Sequence, residues 1–293
     1  MRGCGVFVGL GLVLLAAGCG AVRERRVVDI PPAYLEAREA SLEELLDLVN
    51  RRYAALESLT VTRFEVEFTG GSIDEGYFER YRTAQGYLVA RRPDSVFVNI
   101  LNPLTNSSVL VMASETGAFQ IWIPSRNQFV EGTTGRGVAE ENPVYNVRPT
   151  HIVQGLLIDP ITPSPDILYY REEAQDEAHR YYVIAVLHAS SGSSILELHR
   201  KLWIERSSLQ LWRQQYFSGG QLISEISYGP AVEVDRRLVP VSVRVDRPTE
   251  RYSIDFTFRN DSIQVDRQVR EDSFQLELPP GAELVVVEPE AER

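Results

Sequence analysis

Two cysteines, four histidines and a scatter of adjacent acids are the residues of this 293-residue chain with reactive side chains. His151, His179, His188 and His199 stand apart. None has the His-x-His or His-Glu-x-x-His spacing that turns two imidazoles toward one metal. Glu177 and His179 are two apart in a charged stretch and read as a solvated loop. There is no Gly-x-Ser-x-Gly elbow and no glycine loop to cradle phosphate. Ser190-Ser191-Gly192-Ser193-Ser194 follows His188 like a hydrolase patch, but between two alternating segments it reads as a hairpin turn. Glu43-Glu44 and Glu172-Glu173 read as exposed charge. No catalytic residue, metal ligand or cofactor site emerges, so a non-enzymatic role is expected.

Cys19 is different because of what precedes it. Arg2 supplies a short positive segment, and Val6 to Ala17 is an uncharged apolar run of about a dozen residues, too short for the ~20 that span a bilayer. It fits the core of an export signal. The run ends in Leu15-Ala16-Ala17-Gly18-Cys19. Small Ala17 and Gly18 fit a narrow protease groove, and the thiol is the nucleophile that accepts diacylglycerol. The expectation is cleavage before Cys19, with residues 1–18 removed and Cys19 lipidated. The alternative is an ordinary signal cut after Ala17. Cys4 leaves with the signal, so the remaining body has no disulfide and no cysteine metal site. Stable anchoring takes more than one acyl chain. The pattern resembles that of bacterial lipoproteins, and Gly20 after the cysteine implies, by that resemblance, release to the outer membrane, facing the periplasm.

The net charge is −11, one unit more negative once the signal and its Arg2 are removed. Such a chain lacks the clustered Lys and Arg that phosphate backbones require, which excludes nucleic acid as a partner. Residues 19–40 are polar, with Pro31-Pro32, and read as a lipidated tether. Residues 288–293 read as an acidic tail. The folded domain is expected over 41–287.

That domain opens with a helix. Ser41-Leu42-Glu43-Glu44 matches a capping box, and Leu42, Leu45, Leu46, Val49, Tyr53 and Leu56 follow at helical spacing. A second helix is expected over Pro149 to Leu157, with proline in its first turn. Nearly everything else alternates with period two: Phe64/Val66/Phe68, Phe119/Ile121/Ile123, Leu196/Leu198/Leu202/Ile204, Val239/Val241/Val243/Val245, Tyr252/Ile254/Phe256/Phe258 and Phe274/Leu276/Leu278. One buried and one solvated face is the mark of antiparallel sheet. The expected fold class is therefore mainly β within α+β: a large curved antiparallel sheet with a few covering helices. Two or so helices cover only part of so large an apolar face, so the sheet either closes on itself or leaves an apolar concavity. Candidates to line it are Phe64, Val66, Phe68, Ile121, Leu198, Leu202, Ile204, Val243, Ile254 and Phe256.

Arg200 interrupts the otherwise apolar column Leu196, Leu198, Leu202, Ile204. A buried guanidinium needs partners. Either Arg200 grips an anionic headgroup at the cavity mouth, or it snorkels to the edge, or a bulge changes the register there.

Several segments taken in order resemble the LolA/LolB-like family of bacterial lipoprotein carriers and receptors. They are Leu56-Glu57-Ser58-Leu59 leading into Phe64-Glu65-Val66, Gly86-Tyr87-Leu88-Val89-Ala90-Arg91-Arg92-Pro93, and Gly117 to Pro124, where Thr116 replaces the family's aspartate. Lys201-Leu202-Trp203-Ile204-Glu205 continues through Gln214-Gln215-Tyr216 to Gly219-Gly220, and Ser273 to Glu283 is similar to the family's closing strand and Pro-Gly turn. The resemblance implies an unclosed barrel whose lidded apolar concavity holds acyl chains. It also implies lipid or lipoprotein acyl chains as ligands and a periplasmic carrier or another envelope protein as partner. An N-terminal lipid is closer to the receptor type than to the soluble carrier. The competing expectation is a structural or assembly lipoprotein that fills its own cavity and acts through sheet edges or the Asn142–Asp166 loop.

Overall fold

The computed structural model of the protein describes residues 36–72, 77–133, 146–189 and 195–287. The expected signal peptide, Cys19, most of the tether, the serine-rich turn and the acidic tail lie outside the described residues.

The capping box forms as expected: Ser41 Oγ accepts the Glu44 amide at 3.2 Å, and a Glu44 carboxylate oxygen accepts the Ser41 amide at 2.7 Å. Helix α1, Leu42–Val49, follows, and it continues as a π-helical turn over Asn50–Ala54. The extra residue in that turn lets Asn50 exchange two 2.8 Å hydrogen bonds with the Ile161 backbone. Tyr53 still points into the core, where its hydroxyl accepts the Leu211 amide at 2.9 Å.

The strands of the first half are β1 Ser58–Ser72, β2 Tyr77–Arg91, β3 Ser95–Leu101, β4 Ser108–Glu115, β5 Ala118–Ile123 and β6 Gln128–Thr133. Helix α2, Pro149–Leu156, comes next. Then follow β7 Ile167–Gln175, β8 Arg180–Ala189, β9 Leu196–Glu205, β10 Leu211–Ser218 and β11 Gln221–Tyr228. The remainder are β12 Ala231–Val234, β13 Arg237–Pro240, β14 Ser242–Arg247, β15 Tyr252–Phe258, β16 Ile263–Val265 and β17 Glu283–Val287. Fifteen of the described strands form one unclosed sheet, in the order β17-β6-β5-β4-β3-β2-β1-β15-β14-β11-β10-β9-β8-β7, with β16 also on β1. Both α-helices contribute to the single apolar core on the sheet's inner face. The turn at Gly219-Gly220 has φ of +56° and +77°, as a two-residue hairpin turn requires.

Three expectations need correction. Phe274, Leu276 and Leu278 do not form a strand. Residues 266–282 instead cross the outer face of β3–β5, where Phe274 is buried under the Arg91 guanidinium at 4.6 Å and the Leu276 amide donates to Gln120 Oε1 at 2.7 Å. The closing strand is β17, and it runs parallel to β6, so the sheet is mixed. The Val239–Val245 column breaks in two: Pro240 ends β13, which pairs with β12 in a separate ribbon, and Ser242 opens β14. The leucines at the start of β9 also change faces. Val186 pairs with Arg200 while Leu187 pairs with Leu198, so His199 is an extra residue in a bulge. The bulge turns Leu198 and Leu196 to the outer surface, out of the core that Leu202 and Ile204 join.

Candidate functional site

Alternation along β1 and β15 sends Phe64, Val66 and Phe68 inward against Phe258, Phe256 and Ile254, their register partners. Phe64 and Phe256 meet edge to face with centroids 5.4 Å apart, a favoured aromatic geometry. Val98 and Ile100 of β3, Leu110 and Met112 of β4 and Ile123 of β5 extend this surface. Helix α2 lies across it, with Ile152, Val153 and Leu156 buried. The helix comes so close because residue 155 is glycine: a Cβ there would sit 2.8 Å from Val245 Cγ2. Arg92 fastens both ends of the cover, donating to Leu56 O at 2.8 Å and to Ile158 O, just past α2, at 2.6 Å.

The cover is incomplete. Beside α2 remains a cavity of about 210 Å³, lined by aliphatic and aromatic side chains from β1–β5, β15 and α2. Among the described residues its polar lining side chains are Ser125 and Arg126, both on the turn after β5. One end of it reaches Val109, which is 42% exposed. The turn joining β3 to β4 stands at this rim. Asn102 Oδ1 accepts the Leu104 and Thr105 amides at 2.9 and 3.2 Å, and Asn102 O accepts the Asn106 amide at 2.8 Å. This braced turn holds Leu104 90% exposed.

Of the residues expected in the concavity, Val66, Phe68, Ile254 and Phe256 line it. Phe64, Ile121, Leu202, Ile204 and Val243 are buried in the surrounding core, and Leu198 is on the outside. Val98, Ile100, Leu110 and Met112 were not singled out from sequence. In β4 both side-chain columns are apolar, because the 266–282 segment covers part of the sheet's outer face, and alternation then loses its meaning.

Arg200 is buried but does not line the cavity. Its Nε donates to Gln214 Oε1 at 2.9 Å, a second guanidinium nitrogen donates to the same oxygen, and the third reaches Asp159 O at 3.2 Å. Its charge lies over the Tyr216 ring at 5.3 Å. Gln214 in turn donates to the Tyr228 hydroxyl. Burial pushes the Tyr216 hydroxyl up to about 12 and Tyr228 higher still, so both remain neutral. The guanidinium is committed to the protein's own carbonyl oxygens, not to a mouth.

The histidines fall into unlike settings. His151, on α2, bonds to the Tyr252 hydroxyl, and burial, with Arg247 and Arg148 nearby, holds its pKa well below the usual imidazole value. His188 and His199, eleven apart in sequence, are stacked across β8 and β9 with centroids 4.5 Å apart, a meeting that only the bulge creates. Among the described residues no three of His, Cys, Asp and Glu gather to hold a metal ion.

No family model matches the sequence, and no curated protein matches it significantly. Solved structures do resemble it. A LolA superfamily protein from Nitrosomonas europaea is similar with TM-score 0.47 and 11% identity, over 81% of this chain and 99% of its own. A DUF1329 family protein from Desulfovibrio piger has TM-score 0.48 and 13% identity, over 78% of this chain and 92% of its own. A putative outer membrane lipoprotein-sorting protein domain from Vibrio parahaemolyticus has TM-score 0.47 and 8% identity, over 79% of this chain and 94% of its own.

Proposed function

We propose that this chain is a lipid-anchored protein of the bacterial cell envelope that takes lipid or lipoprotein acyl chains into the cavity beside α2, without breaking a bond. The observation that carries the reading is the cavity itself: an apolar space opening at a rim. It is smaller than the ~300–1,000 Å³ of sites that enclose a whole small molecule, so it suits a chain entering end first with its head outside. Each methylene buried contributes about 0.8 kcal/mol.

The anchor belongs to the same reading. Lipid on Cys19 would hold the protein at the outer membrane, and the end at which the described chain enters the domain can be compared with the end that bears the mouth. The chain enters the domain at the C-terminal end of β9, where the Arg38 amide donates to Arg206 O at 2.9 Å. The mouth is at the C-terminal ends of β3 and β5. Following the antiparallel pairings from β3 through β2, β1, β15, β14, β11 and β10 to β9 places these at opposite ends of the sheet. A mouth at the end opposite the point where the chain enters the domain suits reception of cargo from a periplasmic carrier. One observation favours the alternative of a scaffold acting through protein contacts: Leu168, half exposed on edge strand β7, heads an outer ladder with Leu187 and Leu198.

Native mass spectrometry of the protein purified without detergent tests the first reading. Co-purified phospholipid or lipopeptide that exchanges for added lipid is the expected result, and a clean mass that refuses lipid would leave the scaffold. Cys19→Ser should move the protein from the membrane to the soluble envelope fraction; unchanged membrane association would remove the anchor from the account.

A further inference from the structure

Resting on the acyl-chain reading, we infer that the cavity is a length gauge. It admits about eight carbons of one acyl chain, methyl end first, and Val98 and Met112 set that limit. An apolar cavity of ~150 Å³ holds benzene, with its six carbons, so in proportion the space of about 210 Å³ here is filled by about eight. A longer chain leaves its remainder, with its head, outside the mouth against exposed Val109.

The inner end of the hole is closed by packed side chains. Val98 and Met112 are buried register partners on β3 and β4, and along these strands they are the lining residues farthest from the mouth. Leu88, which pairs with Val98, and Val96, two residues further in, are fully shielded from solvent and do not line the cavity. Phe64 closes the flank toward β1. It pairs with Gly86, and its ring takes the space that a side chain there would need: a Cβ on Gly86 would sit 2.6 Å from Phe64 Cζ. Phe256 braces that ring edge to face. A methyl group that reaches this floor can advance only by displacing close-packed side chains. The floor also sets the direction of entry. Its side chains are apolar, so a polar head pushed down to it would lose its hydrogen bonds to water and find none in return.

The test measures binding of the neutral straight-chain alcohols from butanol to dodecanol by ligand-observed NMR. It uses the full chain carrying Cys19→Ser, so that no acyl chain of its own competes. Affinity should rise about fourfold with each added carbon up to about octanol and then level off. Met112→Ala deepens the floor and should move that break about two carbons longer. Val98→Met fills the floor and should move it about two carbons shorter. Because Met112→Ala enlarges a core cavity, Val98→Met, which occupies existing space, carries the test alone if the first variant does not fold. Affinity that climbs unbroken to dodecanol, or a break that stays in place in the folded variants, overturns the gauge and leaves the acyl-chain reading standing. No binding of any alcohol overturns both.

Discussion

The two halves of the inner face solve the same problem in opposite ways. Around β8–β11 the protein's own polar side chains occupy the inner face: Arg200, Gln214, Tyr216 and Tyr228 are joined by mutual hydrogen bonds. Around β1–β5 and β15 the lining is almost wholly apolar, and α2 leaves a hole. A buried polar network tolerates no foreign occupant, because any guest must break bonds that are costly to leave unmade. An apolar void makes no such demand. On the proposed function the same sheet holds a structural half and a receptive half, and the division follows residue type rather than backbone course.

Substitutions in the two halves should separate accordingly. Phe256→Ala removes a ring that both packs on Phe64 and lines the cavity, so it should cost about 3–5 kcal/mol in urea unfolding and change lipid affinity as well. A variant of wild-type stability would mean that the receptive half is not part of the core. Arg200→Leu should cost about 2 kcal/mol, since Asp159 O and Gln214 lose a donor, yet leave lipid binding unchanged. Lost binding at full stability would return the headgroup role to Arg200.

The third effect depends on pH. His151 is held neutral in the folded protein, whereas in the unfolded chain it takes up a proton near pH 6.5. The unfolded state then binds more protons, so stability is fully present above that pH and declines as pH falls, by up to about 1.4 kcal/mol per unit. His199, also lowered by burial and by His188, adds in the same direction. Unfolding curves between pH 7.5 and 5.5 should flatten in His151→Gln; parallel slopes would show that α2 does not depend on a neutral ring. The smallest effect on stability is expected of Leu104→Glu, within about 0.5 kcal/mol for an exposed site. Transfer of a labelled lipid from vesicles should nevertheless slow several-fold, and an unaltered rate would remove the braced turn from the route of entry.

What sequence could show of this depended on whether one face of an element was wet. The capping box at Ser41 and the alternation of β1 and β15 were legible because polar partners marked the solvent side. In β4 the signal failed, since the 266–282 segment buries part of the outer face too. The apolar spacing of Phe274, Leu276 and Leu278 fitted a strand, but two prolines and Gly281 follow at once, and the chain crosses the sheet before pairing at Glu283. The bulge at His199 was one of the alternatives that Arg200 raised in its apolar column, but the column could not decide among them, because a one-residue insertion changes the face without changing composition. Cavity membership was harder still: Phe64 and Phe256 belong to equivalent columns, yet only Phe256 faces the hole, a distinction made by where α2 comes to rest.

The most direct test of the receptive half is photo-crosslinking with a diazirine-bearing fatty acid, followed by peptide mapping, in the wild type and in Ala84→Phe. Ala84 lines the cavity opposite Val66, so the added ring should fill it without a polar cost. The account predicts adducts on β1, β3, β4 and β15 of the wild type, and their loss in a variant that unfolds at nearly the same denaturant concentration. Adducts concentrated on β7–β9, or label that persists unchanged in Ala84→Phe, would contradict it.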